Sequence, residues 1–166
     1  MLIRDEHPAD APAISAITTA AFATMPFSDG DEAELVERLR ASGGLAVSLV
    51  AEEGGEVVGH IAFSPAWIGG EAGPWYQLAP VSVRPDLHRR GIGSALVRAG
   101  LDRLRALGAE ACLVLGHAEY YPRFGFVSTP LVSDRYPEQN PNFMCLTLSG
   151  ETPAGKVTYH PAFGEG

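Results

Sequence analysis

Apolar residues in the first quarter of the chain recur at the spacing of amphipathic helices. We predict a short strand at residues 2–5, followed by two helices. The first helix carries Ile14, Ile17 and Ala21 on its buried side, and the second ends at Gly43-Gly44. Both helices should therefore pack one face against a sheet.

The hydrophobic period then changes to two, which predicts an antiparallel sheet in the middle of the chain. Two strands, at residues 46–52 and 57–68, are joined by a hairpin turn at Gly54-Gly55. A third strand is predicted at residues 75–83. Pro80 lies inside it and lacks an N–H group, so we expect a bulge or a local opening of the sheet there.

Helical and strand patterns alternate in the second half of the chain. A long helix should run to about Leu107 and end at Gly108, and the apolar run at 111–115 fits a strand parallel to the third one. The remaining predicted elements are a short helix and two strands, at residues 119–124, 126–132 and 143–148. This order predicts one mixed α/β domain over residues 1–166.

Composition and charge narrow the class of protein. The 166 residues are 46% hydrophobic and 19% charged, which suits a domain with its own core. The net charge of −8 argues against a nucleic-acid partner, because phosphate backbones require a surplus of Lys and Arg. Acidic residues near the start and the absence of a long apolar run lead us to expect a cytoplasmic protein with no membrane partner.

The cysteines Cys112 and Cys145 lie in apolar, strand-like runs. Neither has a His or Cys at metal-ligand spacing, and no base stands beside either one in the sequence. We therefore expect two buried free thiols and no metal site.

A buried strand, a basic turn with two glycines and the start of a helix follow one another at residues 81–96. A helix N-terminus offers unpaired N–H groups and the positive end of the macrodipole, so an open turn there admits phosphate oxygens. Gly91 and Gly93 provide that access, and Arg89 and Arg90 add positive charge. The segment is therefore a candidate pyrophosphate site.

The turn differs from the two commonest nucleotide-binding loops. It lacks the Gly-Lys-Ser/Thr ending of a P-loop and the third glycine of a dinucleotide fingerprint. On motif shape alone, a plain structural turn remains an alternative, in which Arg89 and Arg90 only pair with nearby acids.

Two motifs resemble the GCN5-related N-acetyltransferase (GNAT) superfamily, and the resemblance covers nearly the whole chain. His88-Arg89-Arg90-Gly91-Ile92-Gly93 is similar to its Gln/Arg-x-x-Gly-x-Gly/Ala acetyl-CoA loop. Tyr120-Tyr121-Pro122-Arg123-Phe124-Gly125-Phe126 is similar to its Phe-Tyr-x-x-x-Gly-Phe segment, in a form that resembles the YhbS-type group. The resemblance implies an α+β fold with a mostly antiparallel central sheet, a splayed parallel strand pair and flanking helices.

The resemblance also implies acetyl-CoA as co-substrate. It assigns the pyrophosphate to backbone N–H groups of one loop, at Arg89, Arg90, Gly91, Ile92, Gly93 and Ser94. It assigns the pantetheine arm to the preceding strand, which it would extend, at Val81, Ser82 and Val83. It also makes Tyr121 a cofactor-binding residue near the sulfur. His88 replaces the family's Gln or Arg, which leaves the main-chain cradle intact.

For catalysis, the resemblance makes Tyr121 the candidate general acid near the sulfur, and a backbone N–H near Val81 the oxyanion donor. The alternative for Tyr121 is an aromatic that packs in the core or on the cofactor, which is our interpretation of Tyr120. No motif assigns the general base. His117 is the best candidate because histidine titrates near neutral pH, and a water chain is an equal alternative. Four further polar residues have plain structural roles open to them: Glu34, His60, Gln77 and Glu119.

These assignments predict an N-acetyltransferase in which a primary amine attacks acetyl-CoA directly. The acceptor would be a small molecule or a protein amine, selected by the loops at 24–31 and 133–142. One alternative is a non-catalytic acyl-CoA sensor or partner module, and another is a scaffold in which the loop is only a turn. Homodimers are common in the family, and the residues leave this point open.

Overall fold

The computed structural model describes residues 1–25, 30–133 and 141–163. Within them the strands are β1 (Leu2–Asp5), β2 (Val47–Glu53), β3 (Glu56–Ile68), β4 (Glu71–Val83), β5 (Ala111–Leu115), β6 (Val132–Ser133), β7 (Phe143–Thr147) and β8 (Gly155–Tyr159). The helices are α1 (Ala11–Phe22), α2 (Glu32–Ala41) and α3 (Ile92–Ala106). Short 3₁₀ turns lie at Pro8–Asp10, Pro85–Leu87, Tyr121–Phe124 and Pro161–Phe163.

The strands form one sheet whose main path runs β1-β2-β3-β4-β5-β7. Neighbours on this path are antiparallel except β4 and β5, which are parallel. Strand β8 pairs with the end of β3, and the short β6 lies parallel to β8. The predicted fold class, a mostly antiparallel sheet with a parallel pair and flanking helices, is confirmed.

The helices cover the two faces of the sheet differently. Helix α3 packs on one face through the largest apolar cluster, and a Cβ at Gly100 would overlap the ring of Phe63. Only glycine permits this close approach of helix to strand. On the opposite face, α1 and α2 pack on the sheet where Ile14 and Val36 meet Val50.

Two predicted strands differ from the structure, and one strand was not predicted. Residues 126–131 do not form a strand: after Gly125 (φ +101°) Val127 makes an isolated bridge to Cys145, and the next strand, β6, begins only at Val132. Strand β4 begins at Glu71 rather than at 75, since two glycines with positive φ suffice for its hairpin. Strand β8 was missed because its five residues bury only Val157 and so carry almost no hydrophobic pattern.

The irregularity expected at Pro80 is present. The β3–β4 register shifts between Ile61, which faces Val81, and Phe63, which faces Leu78, so β4 carries one extra residue here. The Ala79-Pro80 peptide bond is cis. The bulge lies where β4 and β5 part.

Candidate active site

A cleft of about 800 Å³ opens where the parallel strands separate. The β4–β5 ladder runs from Trp75–Ala111 only as far as Gln77–Leu113, and beyond Gln77 none of the described strands pairs with β4 on that side. Every residue that we assigned to the cofactor or to catalysis lines this cleft, apart from Arg90, which is exposed beside it. The fold thus brings two distant sequence motifs to one cavity.

The wall formed by β4 presents backbone groups to the cleft. The N–H of Arg84 donates to Val58 O at 2.8 Å, so the backbone groups of Arg84, and of Ser82 two residues before it, face β3. By the alternation of an antiparallel ladder, Val81 and Val83 direct their N–H and C=O groups the other way, to the cleft. His88 Nε2 already lies 2.8 Å from Val83 O. Ser82 instead pairs with His60 across the ladder.

The loop before α3 has the backbone of an anion site. Arg89 (φ +68°) and Gly91 (φ +81°) are both left-handed, and Gly91 is the N-cap of α3. Glycine has no side chain to cap the first helical N–H groups, which therefore remain open to a ligand. The left-handed conformation is unfavourable for Arg89 and is of the kind found at ligand sites.

Gly93, in the first turn of α3, leaves room at the cleft wall. A Cβ there would lie 3.7 Å from both the Tyr120 hydroxyl and Val83, which is ordinary contact. The position therefore accepts glycine or alanine, as the motif allows.

Tyr120 and Tyr121 have separate roles in the wall opposite β4. The Tyr120 hydroxyl lies 2.9 Å from Ser94 Oγ, and the Arg123 guanidinium lies 4.4 Å from the centre of the Tyr120 ring. Tyr121 is only 7% exposed and packs edge-on against Tyr120 and Phe126. Tyr120 thus connects the tyrosine segment to α3, which agrees with its interpretation as a packing residue.

Burial fixes the protonation state of Tyr121. Desolvation, with smaller contributions from Tyr120 and Cys112, raises the pKa of Tyr121 well above its usual value. The phenol therefore keeps its proton at neutral pH, as a general acid must. A Cβ at Gly116 would overlap the Tyr121 ring, so the ring can occupy this position only because the residue after β5 is glycine.

The candidate base His117 and the other polar residues considered beside it fall in different places. His117 lies at the rim of the cleft and is exposed, and its carbonyl accepts the N–H groups of Tyr120 and Tyr121 at 3.1 and 3.2 Å. Glu119 is exposed and outside the lining. Glu34 also lies outside it, with its side chain 80% exposed and 3.8 Å from Arg38. Gln77 is buried at the last rung of the β4–β5 ladder.

His60 belongs to a buried polar network rather than to the cleft lining. Its Nε2 lies 2.7 Å from Ser48 Oγ, Ser48 donates to Glu6, and Arg40 binds Glu6 at 2.7 Å. Burial lowers the pKa of His60 and opposes ionisation of Glu6. The neighbouring His60, whose Nε2 lies 3.7 Å from Glu6, and hydrogen bonds from Arg40 and Ser48 outweigh this effect and lower the pKa of Glu6 far below its usual value. The structural role considered for His60 is the one that its surroundings support.

Sequence reasoning missed Glu32, in the first turn of α2. It lines the cleft with Ala21, Phe22 and Met25 at the end of α1 and with Leu35. An acid in the first turn of a helix is common for electrostatic reasons, so the pattern alone gave no signal. Of the predicted acceptor loops, residues 26–29 and 134–140 lie outside the described residues.

The thiols are buried as expected, and no disulfide joins Cys112 and Cys145. Burial raises the pKa of Cys145 to about 11 and that of Cys112 further, so both are thiols at neutral pH. Among residues 1–25, 30–133 and 141–163, no three His, Cys, Asp or Glu side chains form a group able to hold a metal. None of the helices in these ranges is long and apolar enough to cross a membrane.

Known proteins match both the sequence and the fold. Residues 14–126 match the Acetyltransferase (GNAT) family. The chain is 37% identical over 169 residues to YhbS of Escherichia coli K12, an uncharacterized N-acetyltransferase, with 98% of each chain covered. A crystal structure of a GNAT family acetyltransferase from Brucella melitensis with acetyl-CoA has 46% identity and a TM-score of 0.87, covering 98% of this chain and 97% of that one. The structure of E. coli YhbS with CoA has 35% identity and a TM-score of 0.89, covering 99% and 92%.

The chain therefore belongs to the GNAT family of acetyltransferases. This confirms the family resemblance drawn from the two motifs, and with it the predicted enzyme class, an acyltransferase.

Proposed function

We propose that this protein transfers the acetyl group of acetyl-CoA to a primary amine by direct attack. The observation that carries the proposal is the edge of β4 beyond its ladder with β5, where Val81 and Val83 face the cleft beside the open N-terminus of α3. An amide-bearing pantetheine arm would extend the sheet there, while the loop at 89–94 would bind the pyrophosphate. The complexes of two relatives with acetyl-CoA and CoA support this co-substrate.

Tyr121 supplies the proton in the proposed reaction. The amine nitrogen bonds to the thioester carbon, a backbone N–H near Val81 stabilises the oxyanion, and the C–S bond then breaks. The departing thiolate takes the phenol proton of Tyr121, and the phenolate is reprotonated from solvent through the cleft before the next turnover. The place of Tyr121 in the cleft wall, across from Val81, supports the role.

His117 accepts the proton that the amine must lose. Its position at the exposed rim of the cleft lets it pass that proton to solvent. A water chain remains the alternative, and the variant His117→Gln distinguishes the two. With His117 as base, the variant loses the high-pH plateau of kcat, whereas a water chain leaves the pH profile unchanged.

The test of the function is release of free CoA thiol from acetyl-CoA in the presence of a panel of amines, with the acetylated product identified by mass. Tyr121→Phe should lower kcat by about 100-fold while leaving the affinity for CoA unchanged. Full activity of this variant at every pH would exclude the acid role. Tight binding of acetyl-CoA without thiol release on any amine would instead indicate the acyl-CoA sensor.

A further inference from the structure

The backbone carbonyl of Val83 has a hydrogen-bond donor within the protein. His88 Nε2 lies 2.8 Å from Val83 O. A carbonyl oxygen can only accept, so this ring nitrogen carries a proton and donates it. Both residues line the cleft, and the alternation of the β3–β4 ladder directs this carbonyl away from β3. The imidazole therefore stands on the cleft side of β4.

The ring nitrogen occupies the place that an added strand would need. The N–H nitrogen of a neighbouring strand lies about 2.7–3.2 Å from the carbonyl oxygen that accepts it. The proposed pantetheine arm would present an amide N–H to Val83 O at this distance and from the same side. His88 and the arm thus compete for one carbonyl oxygen.

His88 can leave this oxygen without a change in the fold. It is exposed, and it ends the 3₁₀ turn Pro85–Leu87 in an extended conformation with φ −62° and ψ 151°. Exposed side chains change rotamer within picoseconds to nanoseconds, and the backbone need not move. The ring can therefore turn from Val83 O to solvent while β4 and the cofactor loop keep their conformation.

We propose that His88 is a gate on the pantetheine site, whose imidazole must turn away from Val83 O before acetyl-CoA extends β4. This inference rests on the proposed placement of the pantetheine arm along β4 and adds an autoinhibitory contact to it. A single hydrogen bond of this kind keeps the ring on the carbonyl in most molecules. It therefore lowers the apparent affinity for CoA by about two- to tenfold.

Removal of the ring should open the gate. His88→Ala should bind CoA about two- to tenfold more tightly than the wild type in calorimetry. In stopped-flow measurements the gain should lie in the association rate constant, with the dissociation rate constant unchanged, because the ring has turned away in the complex. His88→Gln, whose side-chain amide can also donate to Val83 O, should restore the wild-type affinity. His7→Ala, at an exposed site outside the cleft lining, is the control and should leave CoA affinity unchanged.

A second ligand separates competition at Val83 from an effect of the ring on the phosphates. Adenosine 3′,5′-bisphosphate carries the nucleotide part of CoA without the pantetheine arm. Its affinity, measured by calorimetry, should be the same for the wild type and His88→Ala. A gain for this ligand equal to the gain for CoA would overturn the gate, because the ring would then act on the phosphate site.

Two further results would overturn the gate. Equal CoA affinity of the wild type and His88→Ala would mean that Val83 O accepts from the ring and the arm together, through its two lone pairs. Weaker binding with faster dissociation would make His88 a cofactor contact. If His88→Ala does not fold, His88→Phe keeps a ring without the donor, should show the same gain and is judged by the same outcomes. A wild-type protein that binds no CoA, or acetylates no amine, would instead overturn the proposed function.

Discussion

The hydroxyl of Tyr120 lies 2.9 Å from Ser94 Oγ, which joins the tyrosine segment directly to the first turn of α3. The cofactor loop and the tyrosine segment, 26 residues apart at these two positions, therefore share one wall of the cleft. The position of Tyr121, next in the chain, depends on this link.

We expect the two hydroxyls to act as a pair. Tyr120→Phe and Ser94→Ala should each weaken CoA binding, and the double variant should lose less than the sum, with a coupling of about 1 kcal/mol. Calorimetry of CoA binding measures it. Thr147→Ala, which breaks the 2.7 Å hydroxyl pair with Thr152 outside the cleft, is the control and should leave CoA affinity unchanged. Strictly additive losses would show that the hydroxyls act independently.

Gly91 should be essential to cofactor binding because of its conformation. An alanine at φ +81° costs about 1–2 kcal/mol in the folded state. Gly108 has the same φ and lies just beyond the other end of α3, so Gly108→Ala should lose similar stability. Only Gly91→Ala should also weaken CoA binding, by about tenfold or more, and Gly91→Glu should abolish it by repulsion. Equal CoA affinity of Gly91→Ala and Gly108→Ala would remove the loop from the phosphate site.

Gly116 should determine the position of Tyr121, the proposed acid, through the space that it leaves for the ring. An alanine there overlaps the buried Tyr121 ring, so Gly116→Ala should lose about 1–3 kcal/mol of stability and most of the acetylation rate. Gly93→Ala, whose Cβ meets only contacts at 3.7 Å, should keep the melting temperature of the wild type. Thermal unfolding and kcat measure both effects. Unchanged kcat in Gly116→Ala would mean that the ring position is unimportant.

Sequence patterns predicted those parts of the fold that carry strong periodicity or special residues. Residues 111–115 were placed correctly because a short, fully apolar run is typical of a strand buried on both faces. Pro80 marked the bulge because proline has no N–H for the ladder and is common at bulges. Strand β8, with one buried residue, gave no such signal, and residues 126–131 resembled a strand only in composition.

The candidate site was predictable to a similar extent. The cofactor side follows from a local motif of turn and helix, which sequence displays directly. Glu32 could not be found in this way. It lines the cleft only because α2 packs beside it, and the hydrophobic spacing of a helix does not show which part of the sheet the helix packs against. Glu34 lies on the exposed side of α2, which is the plain structural role considered for it.

The buried His60 gives the last prediction, which concerns stability and pH. Burial lowers the pKa of His60 in the folded state, whereas in the unfolded chain the imidazole has its ordinary pKa of about 6.5. Below that pH the unfolded chain binds more protons, so the stabilisation is complete above about pH 6.5 and is lost as pH falls towards the folded-state pKa. Glu6, whose pKa is lowered, is ionised in both states above about pH 5 and adds no slope there.

Urea unfolding at pH 7.5 and 5.5 should therefore show a loss of about 1 kcal/mol in the wild type, and His60→Gln should flatten this difference. Glutamine can still donate to Ser48, so the variant removes the titration and keeps the hydrogen bond. His117→Gln, at an exposed site, should retain the wild-type dependence. Stability that rises towards pH 5.5 would mean that the folded protein holds His60 protonated against Glu6 Oε1, 3.7 Å away, and that this attraction exceeds the cost of burying the charge.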